Sequence, residues 1–342
     1  RQTGSTPIRF RKAFMTTYLL RRLAYMIPTL IAVSMVAFAV ITLPPGDYAD
    51  TYVLAARQSG QVVTPEEEQR IREFYKLDRP WIQQYWDWIS GIVVRGDFGF
   101  SFQWDLPVDQ LIWPRLGMTF VVSFSSLMLV WIVAIPIGVY SAVRQYSLGD
   151  MLATIFGFIG LAIPNFLFAL ILMYVSFRYL GTSVGGLFSP EYVNAPWSLA
   201  KLGDFLGKLW LPMVVLGTAG TAGLIRVVRA NLLDELSKPY VVTARAKGMR
   251  ERDVIRKYPL RIALNPFVSS LNDVFVQMVS GATIVSVVLS LQTTGPLLLE
   301  ALRAEDMYLA GSFVMMLSVL TVVGTLVSDL LLAWLDPRIR FR

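Results

Sequence analysis

The sequence predicts an all-α, polytopic membrane protein with six transmembrane helices and a helical extracytoplasmic segment between the first two. Three observations carry that expectation. Of 342 residues, 55% are hydrophobic and 16% charged, with a mean hydropathy of +0.54, whereas a soluble domain carries about 25% charge. The apolar residues gather in six long runs. The basic residues gather on alternate connections between those runs.

A bilayer core takes about 20 mostly apolar residues in a helix. The runs are residues 24–43, 119–143, 151–177, 209–228, 267–291 and 310–335. Runs this long are helices, because barrel strands are about 10 residues and alternate. The first ends at Pro44-Pro45-Gly46 and is too long for the apolar region of a signal peptide, so it reads as a retained anchor. The second is free of charge until Arg144, and the third carries Pro164-Asn165 near its middle. The fourth ends in Arg226, the fifth carries Asp273 and Gln277, and the sixth carries Asp329. The chain thus divides into a tail, 1–23, a first span, 24–43, an outer segment, 44–118, and a core, 119–342, holding spans two to six.

The net charge of +7 is a topology signal. The N-terminal tail has Arg1, Arg9, Arg11, Lys12, Arg21 and Arg22 and no acid. The loop 229–266 holds nine bases against the four acids Asp234, Glu235, Glu251 and Asp253. Lys and Arg mark the cytoplasm, so both termini and this loop are expected there. Nucleic-acid binding loses its support once the charge is assigned in this way. With no cysteine and no histidine, disulfides, thiolate nucleophiles, Cys/His zinc sites and Ser-His-Asp triads are excluded.

The outer segment is too long for a turn. Thr64-Pro65-Glu66-Glu67-Glu68 combines an N-cap, proline at the first helical position and acids in the first turn, so a helix is expected to about Tyr75. Asp78-Arg79-Pro80 breaks it, and a second helix is expected over 81–94, with Trp81, Tyr85, Trp86 and Trp88 on an aromatic face at the outer leaflet. The segments 178–208 and 292–309 read as loops and short re-entrant helices.

The loop 229–266 is the most informative part of the chain. Lys238-Pro239 can start a helix, Gly248 can end it in a left-handed cap, and a second helix is expected over 250–264. Helix, glycine, helix makes a knob projecting from the membrane. Read as composition alone it is a solvated basic loop.

Residue order adds a resemblance. Thr243-Ala244-Arg245-Ala246-Lys247-Gly248 resembles the cytoplasmic EAA loop of ABC-importer permease subunits, in the version of the dipeptide/oligopeptide family. Five further stretches follow in that family's order: Met15 to Leu23, Pro45-Gly46-Asp47, the outer-segment residues Arg79-Pro80, Gln84-Tyr85, Trp88 and Gly96-Asp97-Phe98-Gly99, then Ala162-Ile163-Pro164-Asn165-Phe166, and Leu335-Asp336-Pro337-Arg338-Ile339-Arg340. The large outer segment resembles the B-type member of the permease pair. Val242 stands where the general EAA pattern has glutamate, and Val288 to Pro296 departs from the family's usual Glu…Pro-Gly-Leu-Gly pattern.

The resemblance implies a type I ABC-importer permease fold in the bacterial cytoplasmic (inner) membrane. It implies a sister permease, two ATP-binding subunits and an extracytoplasmic solute-binding protein as partners. No Gly-x-x-x-x-Gly-Lys-Ser/Thr phosphate loop is present, so no cofactor is expected on this chain, and ATP and Mg belong to partner subunits. No enzyme activity is expected here. The coupling residues implied are Tyr240, Thr243, Ala244, Arg245, Ala246, Lys247 and Gly248, with Ala244, Ala246 and Gly248 for fit and Arg245 and Lys247 for charge. Pro164 and Asn165 are the pore-lining candidates, joining a freed carbonyl to a polar side chain mid-span. Asp329 is expected to pair with a base such as Arg226 or Arg229. The alternative, a self-contained secondary carrier or channel, asks for inverted repeats and midplane ionisable groups. An intramembrane enzyme asks for a Ser/Lys pair or an Asp dyad, which no span offers.

Overall fold

The computed structural model describes residues 7–42, 46–58, 60, 62–181, 185–264 and 283–335. Helices dominate: α1 (Pro7–Thr42), α2 (Tyr48–Gln58), α3 (Pro65–Phe74), α4 (Trp81–Ser90), α5 (Val108–Val143), α6 (Leu148–Ala162), α7 (Asn165–Val175), α8 (Leu199–Leu236), α9 (Pro239–Ala246), α10 (Glu251–Lys257), α11 (Pro259–Ala263), α12 (Thr283–Val288), α13 (Thr294–Arg303) and α14 (Met307–Leu335). A two-stranded antiparallel hairpin, β1 (Phe100–Ser101) and β2 (Leu106–Pro107), interrupts them.

Among the described residues, α5, α8 and the stretch Met307–Val327 of α14 are each long and apolar enough to cross a bilayer. The run 151–177 is not one continuous helix. It is two helices, α6 and α7, bent by 102° at Ile163-Pro164. Proline lacks the N–H that would continue the ladder and pushes the residue before it out of the helical region. Ile163 accordingly sits at φ −86°, ψ 121°. The apolar stretch Ala24–Ala39 lies within α1, which runs as one helix from Pro7 to Thr42. Most of the fifth run, with Asp273 and Gln277, lies outside the described residues, as does the C-terminal motif after Leu335.

The chain forms two compact units. One comprises residues 1–115, 297–326 and 340–342, the other 116–296 and 327–339. In the first, Thr64 and Glu67 close a reciprocal capping box at the start of α3, with Pro65 in the first turn. The expected aromatic face of α4 splits in two. Tyr85 and Trp88 are buried against Phe38 of α1, whose ring stacks on Trp88 at 5.5 Å, while Trp86 is 67% exposed. Hydrogen bonding explains which residues turn inward. The Tyr85 hydroxyl meets Ser34 Oγ at 2.9 Å, and Trp88 Nε1 donates to Ser312 Oγ at 3.3 Å. The expected helix over 81–94 ends its regular part at Ser90 and continues as a wide turn, Gly91–Arg95.

Asp306 ties the hairpin to the start of α14. Its carboxylate accepts from Ser101 Oγ at 2.5 Å, from the Gln103 N–H at 3.3 Å and from the Leu309 N–H at 3.1 Å. Burial pushes this carboxyl above its ordinary value, against the opposing pull of those bonds.

In the second unit, α8 is the spine, running 38 residues with Pro212 inside it. It begins ten residues before the expected span. Ser198 caps it, accepting from the Lys201 N–H at 3.2 Å. Lys201 is buried, donates to the Ala195 carbonyl at 2.6 Å and lies over the Phe188 and Trp197 rings at 4.8 and 5.3 Å. A charge this enclosed survives only with such partners. The expected helix over 250–264 is also two, α10 and α11, broken at Tyr258-Pro259 by the same proline physics.

The split of the aromatic face predicts unequal tryptophans. Trp88→Ala empties a packed, hydrogen-bonded site and should cost about 3–5 kcal/mol, read as a lower melting temperature in detergent. Trp86→Ala should stay within about 0.5 kcal/mol of the parent.

Candidate functional site

The knob on α8 is built from short-range rules. At the end of α8 the Ser237 hydroxyl donates to the Asp234 carbonyl at 2.8 Å. Lys238 is extended at ψ 147°, and Pro239 opens α9, where its missing N–H costs nothing. At the other end the Gly248 N–H donates to the Arg245 carbonyl at 2.9 Å, and the Met249 N–H to the Ala244 carbonyl at 3.4 Å. Gly248 has φ +76°. This is a Schellman stop with glycine in the left-handed position. A Cβ at Gly248 would meet nothing within 4 Å, so the glycine is needed for its backbone angle and not for space.

The knob has its own core. Val241 and Ala244 are buried with Val254 of α10, and Leu236, Met249 and Tyr258 pack around them. This corrects one expectation. Ala244 does not offer itself to a partner groove; it is 5% exposed because the turn at Gly248 folds α10 back over it. Tyr240, Thr243, Arg245, Ala246, Lys247 and Gly248 are on the surface. Arg245 is not a free charge either. Its Nε and Nη2 donate to Glu251 Oε2 and Oε1 at 3.0 and 2.6 Å. That guanidinium holds the Glu251 carboxyl below its ordinary value. The Tyr240 hydroxyl donates to Glu235, and partial burial together with that carboxylate pushes the phenol up to about 12.

The knob is fastened to the helices behind it. Ala263 of α11 is buried with Leu232 of α8 and Ala142 of α5. Two turns before the end of α8, Arg229 Nε and Nη2 donate to Asp150 Oδ1 and Oδ2, both at 3.0 Å. Asp150 lies in the first turn of α6, also accepts from the Tyr146 N–H at 3.0 Å, and is 3% exposed. Arg229 therefore faces Asp150, which presents both oxygens to the guanidinium fork. Arg226 lies over the Phe158 ring at 5.2 Å. Nothing in the local sequence announces Asp150 as a site residue; the signal is a lone acid at a helix start facing a base on another span.

The two pore candidates separate. Asn165 lines an apolar cavity of about 960 Å³ between α5, α6 and α8, walled by Val133, Ile137, Phe156, Val214 and Thr218 among others. Pro164 is not part of that wall; it caps α7 at the bend. Among the described residues no group of three or more acids converges as metal ligands would.

Comparison with known proteins places these elements in context. Residues 134–341 match the family model of the binding-protein-dependent transport system inner membrane component, and residues 15–130 match that of its N-terminal part. The chain is 36% identical over 329 residues to the oligopeptide transport system permease protein AppB of Bacillus subtilis, covering 96% of this chain and 100% of that one. It is 30% identical over 344 residues to the dipeptide transport system permease protein DppB of Escherichia coli K12, covering 96% and 100%. A putative peptide permease protein of Brucella ovis is 31% identical over 328 residues, covering 95% and 99%.

The Arg245–Glu251 clasp has a pH signature. Because the folded Glu251 value is depressed, the clasp stabilises the knob above the ordinary carboxylate value and is lost as pH falls through the depressed one. Amide protection in α9 should drop over that window. Arg245→Ala should remove the pH dependence and lower protection only modestly, since both groups are substantially exposed.

Proposed function

Because the chain belongs to the family of inner-membrane components of binding-protein-dependent transport systems, we propose that it is one permease subunit of an ATP-driven importer of peptides. The names of its relatives support the peptide class. In this reading a sister permease supplies the other half of the pathway, two ATP-binding subunits dock on the cytoplasmic side, and a solute-binding protein delivers substrate outside. The six apolar runs cross the membrane, and both termini and the knob face the cytoplasm, as the excess of Lys and Arg on the connecting loop supports. The segment 44–118 lies outside the cell membrane.

One observation carries the coupling role of the knob: α9 is held to α8 on two sides. Its core includes Leu236 of α8, and α11 returns to pack on Leu232. A displacement of α9 by a partner is passed to α8 without a flexible joint. From α8 it reaches α6 through Arg229–Asp150, and α6 ends at the bend that holds Asn165. ATP-driven approach of the ATP-binding subunits then tilts α5, α6 and α8 together and opens the pathway to alternate sides, a rigid-body motion. The chemistry of ATP stays on the partners, and this chain converts their closure into a change of access.

Two substitutions test this. Gly248→Val forces a β-branched residue into the left-handed region, at a cost of about 1–2 kcal/mol or more, and reshapes the knob tip. In reconstituted transporter, peptide uptake should fall at least about tenfold while the protein stays in the membrane. Normal ATP-coupled uptake would sink the assignment. Arg229→Met leaves the Asp150 carboxylate without its guanidinium and should impair uptake. The exchange Arg229→Asp with Asp150→Arg should recover part of it, which a residue with no role in the link would not do.

A further inference from the structure

The cavity between α5, α6 and α8 has the lining of a hydrocarbon site. It is a half-open groove of about 960 Å³ and not a closed void. Its floor is made of small residues: Gly149, Ala153, Gly157 and Gly160 share one face of α6 at helical spacings of three and four. Among its described lining residues only Tyr140, Asn165, Thr218 and Thr221 carry a polar side-chain atom. The Thr218 hydroxyl is already satisfied, donating to the Val214 carbonyl of its own helix at 2.6 Å. A peptide in this groove would leave backbone N–H and C=O groups without partners. A hydrocarbon chain asks for none.

Length and charge narrow the occupant further. Along α6 the lining runs from Gly149 to Ile163, about 21 Å, and along α5 from Leu129 to Tyr140, about 17 Å. One leaflet contributes about 15 Å of hydrocarbon, so the groove is one leaflet deep. Its far end, at the α6–α7 bend, holds the Asn165 amide and no charge. Its near end, at the α5–α6 turn, is different. The Tyr140 ring sits directly on Gly149, where a Cβ would come within 2.5 Å of it. The Arg144 guanidinium lies over that ring at 5.7 Å, and the Ser147 hydroxyl donates to the Tyr140 hydroxyl at 3.5 Å. Arg144 is exposed and has no carboxylate partner among the described residues. Asp150, the nearest acid in sequence, is closed on Arg229.

We propose that this groove holds an acyl chain of an anionic phospholipid from the cytoplasmic leaflet, with the lipid phosphate at Arg144 and the hydroxyls of Tyr140 and Ser147. An apolar slot one leaflet deep, with a cation at one end only, complements a lipid standing in its leaflet. The choice of leaflet rests on the proposed topology, in which the α5–α6 turn and the end of α8, joined by Asp150–Arg229, face the cytoplasm.

The test uses the whole transporter complex in phosphatidylcholine vesicles containing phosphatidylglycerol with a diazirine on its acyl chain. Light should attach the probe to groove residues such as Ile137 and Phe156. Unlabelled phosphatidylglycerol should compete about fivefold better than phosphatidylcholine. Arg144→Ala should bring that ratio to about one while labelling of the groove persists. Gly157→Phe should abolish labelling. A Cβ there would meet only that of Ala222, at 3.9 Å, so the ring has room to enter the groove. Ala153→Phe repeats the test at a second floor position, and assembly with the partner subunits reports that the variants fold. Undiminished labelling in both filled variants overturns the site. A competition ratio unchanged in Arg144→Ala overturns the headgroup assignment. Cross-linking of Ile137→Cys to the sister permease or to residues 265–282, with no lipid labelling, shows that a helix fills the groove and also overturns the site. Topology is read separately: Gln145→Cys should react with an impermeant maleimide from the cytoplasmic side only. Reaction from the outside overturns the choice of leaflet and leaves the acyl site standing.

Discussion

The ion pair between Arg229 and Asp150 is the contact on which the second unit's organisation depends. It is bidentate, and the Asp150 side chain is 5% exposed. The Arg229 side chain is 31% exposed, so it is the enclosed Asp150 carboxylate that would be left without compensation if the guanidinium were removed. Asp150 also sits where the first turn of α6 favours a negative charge. A single carboxylate thus starts α6, anchors the turn at Tyr146 and holds α8 two turns above the knob.

Close helix packing makes this link mechanically useful. A Cβ at Gly138 of α5 would come within 2.8 Å of Val228 Cβ, and one at Gly160 of α6 within 3.0 Å of Thr218 Cγ2 on α8. Small residues at helix contacts let backbones approach where lipid removes the usual hydrophobic drive. Packed surfaces of this kind shift as units and do not deform continuously. With α11 seated on α8, the proposed coupling takes the knob, α8, α5 and α6 as one lever loaded at α9. The apolar cavity lies between α5, α6 and α8, the helices that the proposed coupling moves.

Sequence and structure agree where the determining physics is local. The α3 capping box, the proline start of α9 and the glycine stop at Gly248 each involve residues within a few positions, and each is legible in the sequence. The long apolar helices α5, α8 and α14 are legible for the same reason, since hydropathy is summed along the chain. What fails is partner choice and direction. Whether Trp86 or Trp88 turns inward depends on Ser312, more than two hundred residues away. Ala244 looks like a small contact residue until α10 folds over it. Arg229 has several acids within reach of a plausible fold, and only the packing of α6 on α8 selects Asp150. Proline marks each break in the sequence, yet the 102° angle at Pro164 is set by where α7 packs.

The absence of cysteine makes the lever directly measurable. Spin labels introduced through Ala246→Cys on α9 and Leu152→Cys on α6 report a distance inside one compact unit, and it can be followed through the ATP cycle of the reconstituted transporter. The account predicts that this distance stays constant while a label at Ala246→Cys moves relative to one on the ATP-binding subunit. A knob that swings relative to α6 as ATP binds, with uptake proceeding normally, would contradict it.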